Sequence, residues 1–173
     1  DPENMLKAAE KLVEMRDIKF LDINAACPVP KIVKKYAGAY LIKEPGNLYK
    51  IIKLLSSKLG VPVTVKLRSG YSKADHAHIK NISKSCEDHG AKAIFIHGRT
   101  QKQGYSGDID LEAIKTVKNA LTIPVFGSGN ILNAELAKQM IDATGCNGVM
   151  AARGAYGNPW IFKDIESYLA NGT

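Results

Sequence analysis

Only three cysteines, Cys27, Cys86 and Cys146, occur in the 173 residues. They are too few and too scattered for a disulfide framework or a zinc site, and an odd count fits a reducing compartment. No apolar run approaches the roughly 20 residues that a bilayer span requires. The stretch from Asp1 to Arg16 carries acidic residues and has no apolar core segment, so it reads as neither signal nor transit peptide. Low-complexity segments and linkers are also missing. Hydrophobic residues at 45% and charged residues at 24% exclude a disordered or collagenous chain. The expectation is a soluble, cytoplasmic protein with one good-sized core and no membrane partner.

What is present in excess is positive charge: 24 Lys+Arg against 17 Asp+Glu, a net +7. Such a surplus is compatible with a nucleic-acid partner. The lysines are spread along the chain, however, and only Lys31, Lys34 and Lys35 cluster, which also fits solvated helix faces.

β-branched apolar runs alternate with helix-period stretches. Asp1 and Pro2 open a helix with a stripe of Met5, Leu6, Ala9, Leu12 and Val13. Ile18 to Asn24 reads as a strand, and a helix capped by Asn47 runs to Gly60. Val63 to Arg68 is the next strand, followed by a helix from Asp75 to Gly90. Ala93 to His97, Ile123 to Gly127 and Gly148 to Ala152 complete the strands. The helices between and after them start at Asp110, Asn133 and Pro159. This repeating βα order implies a parallel sheet covered by helices. Five strands suit a five-stranded doubly wound sheet. They also suit strands 4 to 8 of a (β/α)8 TIM barrel, which at about 250 residues is longer by some three βα units.

In either fold the working residues stand at the C-terminal strand ends. Strand alternation puts Asp22 with Asn24, and Thr64 with Lys66 and Arg68, on common faces. A lysine inside a barrel needs an anion or acceptor. Lys66 therefore reads as a structural ion pair, an anchor for an anionic cofactor, or a Schiff-base amine. His97 and Arg99 also share a face, with Gly98 between them allowing close backbone approach. Cys27 follows a strand directly in the proline-stiffened loop Asn24-Ala25-Ala26-Cys27-Pro28-Val29-Pro30-Lys31. A thiol there can act as a general acid, with Lys31 adjusting its pKa. Cys86 and Cys146 read as buried small hydrophobes. Gly127-Ser128-Gly129-Asn130 and Ala152-Arg153-Gly154 follow consecutive strands and offer backbone N–H groups and a cation to a phosphate.

Together, Asp22-Ile23-Asn24 running into Cys27-Pro28-Val29-Pro30-Lys31, Val65-Lys66-Leu67-Arg68, His97-Gly98-Arg99-Thr100, Gly129-Asn130, and Arg153-Gly154 through Asn158-Pro159-Trp160-Ile161-Phe162 resemble the tRNA-dihydrouridine synthases, over essentially the whole chain. The resemblance implies an FMN-bearing (β/α)8 barrel followed by a helical tRNA-binding domain. It makes Cys27 the acid that protonates uracil C5 while reduced FMN gives hydride to C6, with NADPH reloading the flavin. Lys66 and His97 would contact the flavin, and Ser128, Gly129, Asn130, Ala152 and Arg153 its phosphate. Asn24 and Arg99 would face the uracil or tRNA. Two positions depart from the family: Ala26 and Ala152 stand where it usually has glycine. The first three barrel strands, with a glutamine they normally supply, and the helical domain are also absent from residues 1–173. A partial barrel with two open sheet edges is expected to be poorly stable or to self-associate, to bind FMN weakly and to be inactive alone. The rival readings are an FMN barrel dehydrogenase of a free pyrimidine, a Schiff-base aldolase using Lys66, and a non-catalytic RNA-binding module. Lys31 beside the cysteine, the His97–Thr100 segment and the basic charge favour the tRNA enzyme over the free-pyrimidine one.

Overall fold

A computed structural model describes residues 1–172. In chain order it contains α1 (Pro2–Met15), β1 (Leu21–Asn24), α2 (Pro30–Val33), α3 (Tyr40–Lys43), α4 (Gly46–Lys58), β2 (Val63–Arg68) and α5 (His76–Asp88). There follow β3 (Ala93–His97), α6 (Leu111–Ala120), β4 (Val125–Ser128), α7 (Ala134–Thr144), β5 (Gly148–Met150), a 3₁₀ turn (Arg153–Ala155) and α8 (Ile161–Asn171). Side-chain caps start four of the long helices. Asp1, Asp75, Asp110 and Asn133 accept from the amides of Asn4, His78, Ala113 and Leu136, satisfying donors the helix itself cannot.

The strand order decides between the two folds. All five strands are parallel and lie in the order β1-β2-β3-β4-β5. A doubly wound sheet reverses its order at a switch point, and this one never does. Right-handed crossovers that always step the same way leave every helix on one face, and α4 through α8 indeed pack each against the next. The protein is an α/β fold whose sheet is an arc of a (β/α) barrel.

Alternation along the strands separates core from site. Ile23, Val63, Val65, Leu67, Ile94, Ile96 and Val125 are buried against the helices. Each contributes about 1.5–3 kcal/mol of burial. The other face carries Asn24, Lys66, His97, Ser128 and Met150. The register Asn24↔Lys66, Arg68↔His97, His97↔Ser128 and Ser128↔Met150 sets them side by side.

Element boundaries differ from the sequence reading for local reasons. Pro124 has no N–H, so the fourth strand begins at Val125 rather than Ile123. The ladder of β1 starts only at Leu21, whose amide donates to the Pro62 carbonyl, 2.9 Å. Asn47 lies inside the first turn of α4, because the helix begins at Gly46 with Pro45 before it. The strand expected over Gly148–Ala152 stops at Met150, opposite Ser128, where Gly129 turns away with φ 130°. The short helices α2 and α3 carry no signal in the sequence pattern.

Candidate active site

The loop holding Cys27 is pinned from both sides. The Ala25 amide donates to the Lys66 carbonyl at 2.9 Å, and the Ala26 amide to the Asn24 side-chain oxygen at 3.0 Å. Arg68 Nε donates to the Ala26 carbonyl at 2.6 Å, and the Ala39 amide to the Cys27 carbonyl at 3.0 Å. Gly38 is required here: with φ 59°, a Cβ on it would stand 2.7 Å from the Cys27 carbonyl oxygen. Cys27 is thus half-buried but fixed, with its side chain at the wall of a cavity of about 230 Å³.

That cavity sits at the C-terminal ends of the strands. Nine of the ten residues singled out in the sequence line it: Asn24, Cys27, Lys66, His97, Ser128, Gly129, Asn130, Ala152 and Arg153. Residues from the ends of all five strands therefore converge on one hollow. Arg99 does not line it. The residue is 3% exposed, and its guanidinium donates to the carbonyls of Ser106 and Gly107 and to Asn130 Oδ1. Arg99 thereby ties the loop after β3 to the glycine loop after β4. Asn130, in the left-handed region at φ 53°, also accepts from Arg153 at 2.9 Å.

Two cavity residues with polar side chains, Arg68 and Tyr105, were not picked out as site residues from the sequence. Arg68 is buried and donates to the carbonyls of Ala26, Thr100 and Gly104, bridging the Cys27 loop and the loop after β3. Strand alternation places Arg68 on the Lys66 face, which is the signal that could have found it. Tyr105 lies between two cations, its ring centroid 5.9 Å from the Arg68 guanidinium and 5.6 Å from that of Arg153. Nothing in the local sequence marks it.

The hollow is strongly cationic. Burial, together with Arg68, lowers the Lys66 amine to about 8, Asp22 only partly opposing it. Lys66 forms no ion pair among the described residues. The neighbouring carboxylate, Asp22, accepts instead from Thr64 Oγ1 at 2.8 Å. Burial and then the charges of Arg68, Lys66, Arg99 and Arg153 push His97 down to about 3, so its imidazole is neutral at ordinary pH. His97 Nδ1 stands 3.4 Å from Ser128 Oγ, and the buried Nε2 has no partner. An orphaned buried nitrogen, an unpaired buried amine and the exposed Arg153 beside two glycine-bearing loops are the donor set an anionic, planar, hydrogen-bonding cofactor needs. A flavin mononucleotide fits that set. No group of His, Cys, Asp and Glu residues suited to a metal occurs among the described residues.

The fold is shared with dihydrodipicolinate synthase from Agrobacterium tumefaciens, at TM-score 0.62 and 14% identity over 95% of this chain and 54% of that one. It is shared too with a phosphonopyruvate hydrolase, at TM-score 0.60 and 12% identity over 94% and 59%. In sequence, tRNA-dihydrouridine synthase B of Vibrio vulnificus is 40% identical over 173 residues, all of this chain and 53% of that protein. The protein of the same name in Pseudomonas putida is 37% identical over 172 residues, 99% of this chain and 50% of that one. The chain spans about half the length of these curated relatives. The family model for dihydrouridine synthase (Dus) matches residues 1–173, and the chain belongs to that family.

Proposed function

We propose that these residues form the part of a tRNA-dihydrouridine synthase barrel that carries strands 4 to 8, and that the site reduces uridine to 5,6-dihydrouridine in tRNA. The observation that carries this is Cys27: a thiol held rigidly at the wall of a cationic cavity, facing residues from four further strand ends. FMN is the cofactor that suits the cavity. Lys66 and His97 Nε2 would meet its ring system, and the backbone of Ser128, Gly129 and Ala152 with the Asn130 and Arg153 side chains its phosphate. When bound, reduced FMN, recharged by NADPH, supplies the hydride that uracil C6 takes up. Cys27 Sγ–H donates the proton to C5, and the thiolate recovers a proton from solvent. Asn24 uses its side-chain oxygen on the Ala26 amide, leaving its NH2 group to hydrogen-bond the base. Arg99 acts behind the site by holding Asn130.

Charge placement supports tRNA over a free pyrimidine. The stretches from each strand end to the next long helix, residues 25–45, 69–75, 98–110, 129–133 and 151–160, hold eight Lys or Arg and four Asp or Glu, a surplus of four cations. The loops at the opposite end of the sheet, 16–20, 59–62, 89–92, 121–124 and 145–147, hold three cations and one acid. A small substrate needs no such field, whereas a polyanion is attracted and oriented by it. The compartment that suits a tRNA enzyme with three free cysteines is the cytoplasm. Taken alone, residues 1–173 are expected to be poorly stable or to self-associate through open sheet edges, to bind FMN weakly and to be inactive.

The test is a chimera in which this chain replaces the matching stretch of the Vibrio vulnificus enzyme. With NADPH and unmodified tRNA, nucleoside mass analysis is expected to show uridine gaining two hydrogens. Cys27→Ala is expected to slow that gain about 10²–10⁴-fold. A folded, flavin-bound chimera that reduces free pyrimidines but not tRNA would overturn the proposal. So would a borohydride-trapped adduct on Lys66 with a carbonyl substrate, which would mark an aldolase-type amine.

A further inference from the structure

Outside the active site, the segment linking Cys27 to α4 forms a second hollow, of about 430 Å³, lined by Tyr36, Tyr40, Leu41, Glu44, Asn47 and Lys50. Tyr36 is 69% exposed and sits in the left-handed region at φ 58°. That conformation is uncommon for a bulky side chain and marks a position the surroundings impose. The Tyr36 and Tyr40 rings meet edge to face, centroids 5.1 Å apart, and Lys43 Nζ lies 5.8 Å from the Tyr40 centroid. Glu44 beside the Tyr40 hydroxyl raises the pKa of that group. Lys34 and Lys35 immediately precede Tyr36 and are exposed, as is Lys50. The hollow is also joined to the chemistry: Gly38 and Ala39, between the two tyrosines, are the residues packed on and bonded to the Cys27 carbonyl.

We infer that the Tyr36–Tyr40 hollow is a second RNA-binding point, which stacks one unpaired nucleotide of the tRNA while Lys34, Lys35 and Lys50 meet the adjoining phosphates. The inference rests on tRNA being the substrate. Exposed aromatic faces beside a backbone-tracking cationic strip are how proteins hold unpaired nucleotides irrespective of sequence. Three features commit the surface to RNA rather than to a protein partner. One is the charge around the rings, where the exposed Lys34, Lys35, Lys43 and Lys50 outnumber Glu44, the one acid lining the hollow. Another is the exposed aromatic ring held in a costly conformation. The last is that the strip is continuous with the Cys27 loop, Ala39 between the two tyrosines donating to the Cys27 backbone carbonyl.

The test is binding of unmodified tRNA, oligouridine and a fully paired RNA duplex to the full-length chimera that carries this chain in the Vibrio vulnificus enzyme, followed by fluorescence anisotropy, with circular dichroism as the folding check. The double variant Tyr36→Ala/Tyr40→Ala is expected to bind tRNA and oligouridine about tenfold more weakly or worse. Duplex binding, which offers no unpaired base, should change little. Tyr36→Phe keeps the ring and is expected to bind as the parent does. A folded double variant with unchanged tRNA and oligouridine affinity overturns the second site and leaves the proposed reaction standing. Equal losses for duplex and oligouridine overturn the stacking role. A folded parent chimera that fails to bind tRNA overturns the reading that tRNA is the substrate, and the second site with it.

Discussion

Arg68 directs a buried guanidinium at backbone carbonyls, and among the described residues no carboxylate pairs with it. Its partners, Ala26, Thr100 and Gly104, lie on two different loops, so the side chain acts as a staple across the top of the sheet. Arg68→Ala would leave those carbonyls without a donor, and a loss of about 2–3 kcal/mol in urea unfolding is expected. Lys66 is the other testable group at this scale. Burial lowers its amine to about 8, so it loses its proton well below the ordinary lysine range near 10.5. Acylation of Lys66, read by peptide mass, should therefore rise with a midpoint near pH 8, while exposed lysines respond at higher pH. A Lys66 midpoint in the ordinary range would show that the amine is not desolvated. The shared face of Lys66 and Arg68 is legible in the sequence, because strand alternation fixes it. The partners of Arg68 are not, because Thr100 and Gly104 lie 32 and 36 residues away and only the folded loop brings them back.

Among the elements, the long helices were legible because each carries an apolar stripe and four open on a capping side chain, as at Asp75, Asp110 and Asn133. The short α2 and α3 were not, since four residues carry no periodicity; they are held by the packing around Cys27 and Gly38. The link between α5 and β4 was equally hidden. Glu87 accepts from the amide and hydroxyl of Thr122 and from the amide of Ile123, and pairs with Lys84 at 3.2 Å. Burial alone would raise its carboxyl, but these hydrogen bonds outweigh it and hold the group at about 2, below its ordinary 4.5. A carboxylate favoured in the folded state adds stability that is complete above about pH 4.5 and is lost as pH falls towards 2. Glu87→Gln should lower stability by about 1–3 kcal/mol at neutral pH and flatten the acid limb of the stability profile between those values. An unchanged acid limb in denaturant melts across pH 2–6 would show that the tie contributes nothing.

At the scale of the whole molecule, five parallel strands in sequential order make an arc with two unpaired edges, β1 and β5. The βα alternation was legible in the sequence, but strand order was not: periodicity says that strands are parallel without saying whether the winding reverses. The two edges differ in how they are protected. β1 carries Asp22, exposed, and a charge on an edge strand disfavours pairing with another chain. β5 is Gly148-Val149-Met150, uncharged and only partly buried throughout. Beside it on the concave face lie the stacked rings of Phe95 and Phe126, 4.8 Å between centroids and only half-buried. An uncharged edge flanked by apolar side chains is the surface on which a second copy gains both ladder hydrogen bonds and burial. The chain is therefore expected to associate in sedimentation velocity, with a weight-average mass that rises with concentration. Met150→Lys puts a charge on β5 and should return the chain towards the 18.8 kDa monomer. The same change on the guarded edge, Ile23→Lys, would instead bury a charge among the helices and unfold the protein, so it cannot serve as the control. Replacing Asp22 with Asn is the informative partner: if edge charge is what protects β1, this variant associates more strongly than the parent. A parent chain that stays monomeric at every concentration would mean that side chains already close the β5 edge, and the argument from open edges would fail.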